Sequence, residues 1–289
     1  MSTALPHPSP ATVRVVCVVY HPGDELASFA RTLATASATP TELVIVDNGT
    51  DPTVARAVAD EVGARLVATG DNLGYGRAAN LGARDAQTPW IVVANSDIEW
   101  QPGSLDTLVA AAEAHPTVGA AGPALLNTDG TVYPSARELP SLTQGAGHAV
   151  FVRLWPGNPW TRRYQARQQT TGAERPAGWL SGACLLLRRE AFEAVGGFDD
   201  GYFMFFEDVD LGDRLGRAGW TNLYVPQAQV THVGGTSWRE KPASMISAHH
   251  ASAARYVRRR YPRWYQWPVR QAAALGLRLR ERSELRAAR

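Results

Sequence analysis

Over its first hundred residues the chain alternates short apolar, β-rich runs with stretches of helical length, and few folds accept that order. Residues 13–20 read as a strand, followed by a helix whose start is marked by Asp24 and Glu25. A second strand over 42–46 runs into Asp47-Asn48-Gly49-Thr50, a turn sequence. A helix over 53–62, a strand over 65–69, a helix over 76–86 and a strand over 90–94 complete the series. This βαβαβαβ order predicts an α/β fold with a mostly parallel sheet and helices on both faces. The strands show little apolar–polar alternation, as burial on both sides requires. From 122 to 175 the pattern loosens into Gly, Pro and aromatic residues, with a hairpin turn at 127–130. Order returns as a strand over 179–188, a short helix over 190–195, an aromatic loop over 198–206 and a helix over 208–218.

In such sheets ligands bind beyond the carboxyl ends of the strands. Those ends carry Tyr20-His21, Asp47-Asn48, Gly70-Asp71-Asn72 and Asn95-Ser96-Asp97. Any one of them is an ordinary turn; four at corresponding ends point to a binding site. Asp97 is placed to hold Mg²⁺ or Mn²⁺ beside substrate phosphates, because hard cations take oxygen ligands. Its ordinary alternative is simply to end the strand. In the stretch 71–80, Gly74 and Gly76 allow close backbone approach just before a helix N-terminus that favours anions. Arg77 adds a charge suited to a diphosphate. Neither G-x-G-x-x-G nor the lysine-bearing phosphate loop occurs, which weighs against nicotinamide oxidoreductases and ATPases.

Phe205-Phe206-Glu207-Asp208-Val209-Asp210-Leu211 sets three carboxylates at the start of a helix. Acids there stabilise the positive end of the helix dipole by about 0.3–1 kcal/mol each. Glu207 directly behind an aromatic wall suggests more, because a carboxylate in an apolar cleft has its pKa raised and can serve as a general base. Spacing leaves open which acid faces the cleft. His232, after the β-like run 229–233, is either a metal ligand or a structural histidine.

Taken together, Val-Asp-Asn-Gly-Thr at 46–50, Asn-Leu-Gly-Tyr-Gly at 72–76, Asn-Ser-Asp at 95–97, Trp-Leu-Ser-Gly-Ala at 179–183, Gly-Gly-Phe-Asp at 196–199 and the 205–211 run resemble the inverting glycosyltransferases of family 2, with the GT-A fold. The resemblance spans about 13–235, and the order and spacing of the motifs are more specific than any one of them. Val132-Tyr133-Pro134-Ser135-Ala136-Arg137, Asn158-Pro159-Trp160 and the 207–215 stretch are similar to the actinobacterial rhamnosyltransferases within that family. The resemblance implies transfer of L-rhamnose from dTDP-L-rhamnose to polyprenyl-diphosphate-linked GlcNAc, a step in building the linker between arabinogalactan and peptidoglycan. It implies a nucleotide pocket with Tyr20, Asp47, Asn48, Gly74, Arg77, Asn80, Asn95 and Ser96, and a divalent cation on Asp97 and His232. Trp179, Ser181 and Gly182 would touch the sugars, and Asp208, with Glu207 beside it, would take the proton of the attacking hydroxyl. Two positions depart from the family pattern: Asn95 replaces the first acid of the commoner Asp-x-Asp, and His21 stands where an amide is common.

The near-neutral total charge of +2 conceals two unlike regions. From Ala251 onward there are 11 Arg against 2 Glu, a net of +9, which leaves −7 for the first 250 residues. The expected organisation is a transferase domain over 1–235, with a nucleotide-sugar half at about 11–122 and an acceptor half at about 123–235, then a helical tail over 236–289. Arginines interleaved with Trp264, Tyr265 and Trp267 suit an anionic membrane surface, contacted through about 250–289. Nucleic-acid binding and a solvated helix packed on the body are the alternatives, and nucleic acid is not the expected partner. Residues 1–10 carry no apolar signal core, and no apolar run reaches the roughly 18–20 residues of a membrane span. The expectation is a peripheral protein on the cytoplasmic face of the plasma membrane; a homodimer stays open. Cys17 and Cys184, both in apolar runs, read as buried free thiols. A sugar nucleotidyltransferase and a non-catalytic sugar-nucleotide binder are the competing function classes.

Overall fold

A computed structural model describes residues 12–140, 172–234 and 243–287 of the 289. The N-terminal residues 1–10, the Asn158-Pro159-Trp160 motif and the expected boundary at 235/236 lie outside them. The first half runs β1 (Val13–Val19), α1 (Asp24–Ala36), β2 (Thr41–Asp47), α2 (Thr53–Val62), β3 (Arg65–Ala68), α3 (Tyr75–Ala83) and β4 (Trp90–Asn95). Then come β5 (Ile98–Trp100), α4 (Ser104–Glu113), β6 (Val118–Leu126), β7 (Val132–Tyr133) and β8 (Ala136–Arg137). The remainder is β9 (Arg175–Ala177), β10 (Trp179–Leu180), β11 (Cys184–Arg188), α5 (Arg189–Ala194), α6 (Glu207–Arg217), β12 (Thr221–His232), α7 (Ala243–Arg260) and α8 (Trp267–Ala287).

The main sheet has the order β3-β2-β1-β4-β11-β6-β12-β5. Its first four strands are parallel, as the alternation predicted, and β1 is buried along its whole length. Successive residues of β1 feed opposite faces: Val15, Cys17 and Val19 join Phe29, Leu33 and Leu108 on one side, while Val16 and Val18 join Ala79, Phe192 and Leu211 on the other. Helices α1, α2 and α4 cover the first face, and α3, α5 and α6 the second. Arg14, the one charge inside β1, is neutralised by Glu42 at 2.7 Å and Asp85 at 2.8 Å. Both cysteines are free and buried.

The expected division near 122/123 between the two halves of the domain falls inside β6, which pairs with β11, β12 and β7, so both halves share one sheet. The single strand expected over 179–188 is broken at Ser181-Gly182-Ala183. There β10 leaves a small ladder with β8, and the chain crosses to the main sheet as β11, antiparallel to β4. Ala183 accepts the Asn95 amide across this crossing at 3.0 Å. Strand order reverses between β1 and β4, and ligands of open α/β sheets bind beyond such a point.

Candidate active site

The carboxyl ends of β1, β2 and β4 form one rim. Asp47 is fully buried; one carboxylate oxygen accepts the Gly49 amide at 2.8 Å and the other has no hydrogen-bond partner. Asn48 joins this end to the next loop, donating to Asn72 at 3.0 Å and accepting the Leu73 amide at 2.9 Å. Tyr20 is exposed and edge-on to His21. Gly74 opens α3 at φ 87°, and a Cβ there would collide with the Phe203 carbonyl, which accepts the Tyr75 amide. That close approach requires glycine.

Arg77 and Asn80, expected in the nucleotide pocket, are bonded to the 198–200 loop in this structure. Arg77 Nε donates to the Asp200 carbonyl at 2.7 Å. The Asn80 amide is consumed by both backbone groups of Phe198, accepting from its N–H at 2.9 Å and donating to its carbonyl at 2.8 Å. Their bonds in this structure fasten the 198–200 loop to α3.

Asp97 and His232, 135 residues apart, meet because β5 pairs antiparallel with the end of β12. Asp97 Oδ1 and His232 Nε2 lie 3.1 Å apart and both side chains are partly exposed. A Cβ on Gly234 would overlap the Asp97 carboxylate, so glycine is needed beside it. Two neighbouring ligands about 2.1 Å from an octahedral ion stand about 3 Å apart, so the pair has the spacing a divalent cation needs. No group of three or more His, Cys, Asp or Glu side chains fit for a metal exists among the described residues. Asp97 and His232 would therefore hold such an ion with most of its positions open to phosphate and water.

The second acidic site lies at the start of α6. Glu207 is 7% exposed and one of its carboxylate oxygens has no partner. Burial, then the neighbouring Asp208 charge, pushes its carboxyl up to about 8. Asp208 is half-buried, with Oδ2 accepting the Gly182 amide at 2.9 Å and Oδ1 the Val209 amide at 2.8 Å. Burial raises its pKa against the opposing pull of those amides and of Arg137. Two like charges this close cannot both ionise easily, so the pair shares one proton near neutrality. Tyr75, whose phenol burial and then Glu207 keep protonated, donates to the Gly182 carbonyl at 2.6 Å.

Asp210 faces elsewhere: it accepts Arg214 at 2.6 Å, Arg259 at 3.2 Å and the Tyr202 hydroxyl at 3.3 Å. Of the three acids, Asp208 is the one both partly exposed and without a cation partner among the described residues. Trp179 lies against Gly212, one helical turn after Asp208, and donates to the Glu138 carbonyl at 3.1 Å. Ser181 accepts at its carbonyl from Cys184 and donates its amide to Ser135 at 2.8 Å, fixing the turn that carries Gly182.

The loop leading to the acids is strained, with Phe205 at φ 67° and Phe206 at φ 64°, both left-handed without being glycine. Helix α7 braces it. Arg255 and Arg259 each reach Asp199 at 2.6 Å, Ser252 donates to the Met204 carbonyl at 2.8 Å, and Tyr256 packs on Phe206. Sequence reading did not single out Asp199, Ser252, Tyr75 or Arg137 for a role. Tyr75, Arg137 and Asp199 sat inside quoted motifs; the α7 contacts left no local signal.

Comparison with known proteins bears on the fold and the family. Residues 8–265 match the family described as glycosyltransferase like family 2. The chain is 47% identical over 291 residues to the N-acetylglucosaminyl-diphospho-decaprenol L-rhamnosyltransferase of Mycobacterium tuberculosis, covering 95% of this chain and 94% of the relative. The mannosyltransferase PcManGT of Pyrobaculum calidifontis, solved with GDP-Man and Mn²⁺, superposes with a TM-score of 0.54 at 19% identity, covering 88% of this chain and 67% of that one. GalNAc-T7, solved with UDP, GalNAc and Mn²⁺, gives a TM-score of 0.58 at 18% identity, covering 77% and 44%. The chain thus has the GT-A fold, and it belongs to the family 2 glycosyltransferases.

Proposed function

We propose that the protein transfers L-rhamnose from dTDP-L-rhamnose to polyprenyl-diphosphate-linked GlcNAc with inversion. The observation that carries this reading is the near-full-length likeness to the mycobacterial transferase. Asp47, with its unpartnered buried oxygen, Asn48 and Tyr20 line the rim where the nucleotide is held, beside Gly74, Asn95 and Ser96. Asp97 and His232 hold Mg²⁺ or Mn²⁺, which when bound offsets charge on the departing diphosphate. Asp208 takes the proton of the acceptor hydroxyl as its oxygen bonds to the anomeric carbon and the bond to dTDP breaks. The hydroxyl is barely acidic, so a positioned carboxylate is needed. Glu207 holds the pair's shared proton and leaves Asp208 ionised. Trp179, Ser181 and Gly182 border the space left for the sugars.

The tail serves membrane contact in this reading, through a narrower surface than its composition suggested. The α7 arginines Arg255, Arg259 and Arg260 pair with Asp199, Asp210 and Asp213 of the body. The exposed aromatic and apolar side chains are Trp264, Tyr265, Trp267, Val269, Leu275 and Leu279, on α8 and the turn before it. No helix among the described residues is long and apolar enough to cross a membrane, so α8 would lie along an anionic leaflet. The site is peripheral, on the cytoplasmic face, where the acceptor's headgroup would be presented.

A panel of sugar nucleotides with a synthetic GlcNAc-diphospho-lipid, scored for product by mass spectrometry, tests the reading. Metal-dependent rhamnosylation of the lipid is expected. Transfer of a different sugar, or rhamnosylation only of another acceptor, would replace it.

A further inference from the structure

Most of the arginines around α6 are neutralised, whereas among the described residues Arg77, Arg175 and Arg137 are held by uncharged groups. Arg214, Arg217, Arg255, Arg259 and Arg260 each pair with an aspartate. Arg137 has no carboxylate partner among the described residues. Its Nε donates to the Pro134 carbonyl at 2.8 Å and its Nη2 to the Tyr133 hydroxyl at 3.1 Å, both uncharged. The guanidinium lies between two rings, 5.4 Å from the centre of Tyr133 and 5.6 Å from that of Trp179. These contacts fix its direction and leave its charge unspent, and a half-buried guanidinium without a counter-ion is suited to an anion.

The ladder between β8 and β10 sets Arg137 directly opposite Trp179. Three residues after Trp179, the Gly182 amide holds Asp208. Arg137 is near enough for its charge to be felt at Asp208, yet the two form no ion pair. Trp179 stands opposite Arg137 in the ladder and against Gly212 of α6, and its ring suits the face of a sugar. A sugar whose hydroxyl points to Asp208 and whose opposite end bears a phosphate would present that phosphate to Arg137.

We propose that Arg137, oriented by Tyr133 and Trp179, binds the diphosphate of the lipid-linked acceptor and so sets the enzyme's preference for a diphosphate-bearing acceptor over a neutral glycoside. The proposal rests on the acceptor being diphosphate-linked, a point that transfer by the wild-type enzyme tests separately. It does not require the donor to be dTDP-rhamnose.

The full-length enzyme and its Arg137→Gln and Arg137→Lys variants are assayed on GlcNAc-diphospho-polyprenol and on GlcNAc joined directly to a polyprenol. Loss of a charge-assisted contact predicts a KM for the diphosphate acceptor about tenfold to a hundredfold higher in Arg137→Gln. Partial recovery is expected in Arg137→Lys, with KM for the donor within about twofold of wild type. On the diphosphate-free acceptor the three enzymes should show the same KM. Equal losses on both acceptors, or none on either, would overturn the assignment. A binding measurement is independent of turnover: with dTDP saturating the donor site, farnesyl diphosphate should bind Arg137→Gln about tenfold more weakly than wild type. Equal affinities would also overturn it.

Discussion

Asp97 and Asp208 are aspartates beside the same turn, and their surroundings suit them to the opposite tasks proposed for them. Asn95, two residues before Asp97, donates to Ala183, while Gly182, the preceding residue, donates to Asp208. Asp97 is partly exposed and faces a histidine, an arrangement open to a cation. Asp208 is packed against a second, more buried carboxylate and is held by backbone amides alone. The first arrangement keeps a charge in place; the second makes a proton cheap to accept. The comparison teaches that residue type does not assign the role here. What assigns it is whether the nearest ionisable neighbour is a base or another acid.

The sharpest way to break this contrast is Asp208→Asn, which keeps the shape and removes the base. It should lower kcat by about 10²–10⁴-fold, with donor affinity by titration calorimetry unchanged. Full turnover would move the base elsewhere. Asp97→Asn should act in the other direction, on binding. The metal concentration for half-maximal activity is expected to rise by at least the roughly tenfold to hundredfold typical of a disturbed metal site. An unchanged metal requirement would remove Asp97 from the cation site.

Glu207 sharpens the difference through pH. Its folded-state pKa is raised from 4.5 to about 8, so the folded chain keeps a proton that the unfolded chain has released. Stability conferred by that proton is present at low pH and declines as pH rises toward about 8. Between pH 6 and pH 8 the wild type should lose about 1–2 kcal/mol that Glu207→Gln does not lose, read from denaturant melts. Parallel curves for the two proteins would contradict a raised pKa. The smallest effect belongs to the brace behind the acids. Asp199→Asn releases Arg255 and Arg259, and loosening the loop that aims Asp208 should cost kcat severalfold with little change in donor KM.

Much of this was legible along the chain. Strands β1 to β4 and the helices between them repeat apolar patterns over neighbouring residues, and helix α2 falls on the expected 53–62. Strand β6, Val-Gly-Ala-Ala-Gly-Pro-Ala-Leu-Leu, escaped notice because small residues carry little strand signal, although the sheet buries nearly all of it. The break at Gly182 escaped because its amide serves a carboxylate 26 residues away in place of the ladder. The contacts of Asn80 with Phe198 are likewise invisible in a motif that reads equally well as a ligand loop.

The sequence by itself determined the α/β order, the polar strand ends, the acidic cluster behind its aromatic residues and the division into acidic body and basic tail, because each is a local pattern or a count. Only the tertiary structure decided that Asp97 meets His232, that Asp210 pairs with Arg214 and Arg259, and that Arg255, Arg259 and Arg260 of α7 are spent on the body. Those outcomes depend on strand pairing and helix packing between residues far apart in sequence, and an electrostatic environment exists only once such residues are brought within a few ångströms.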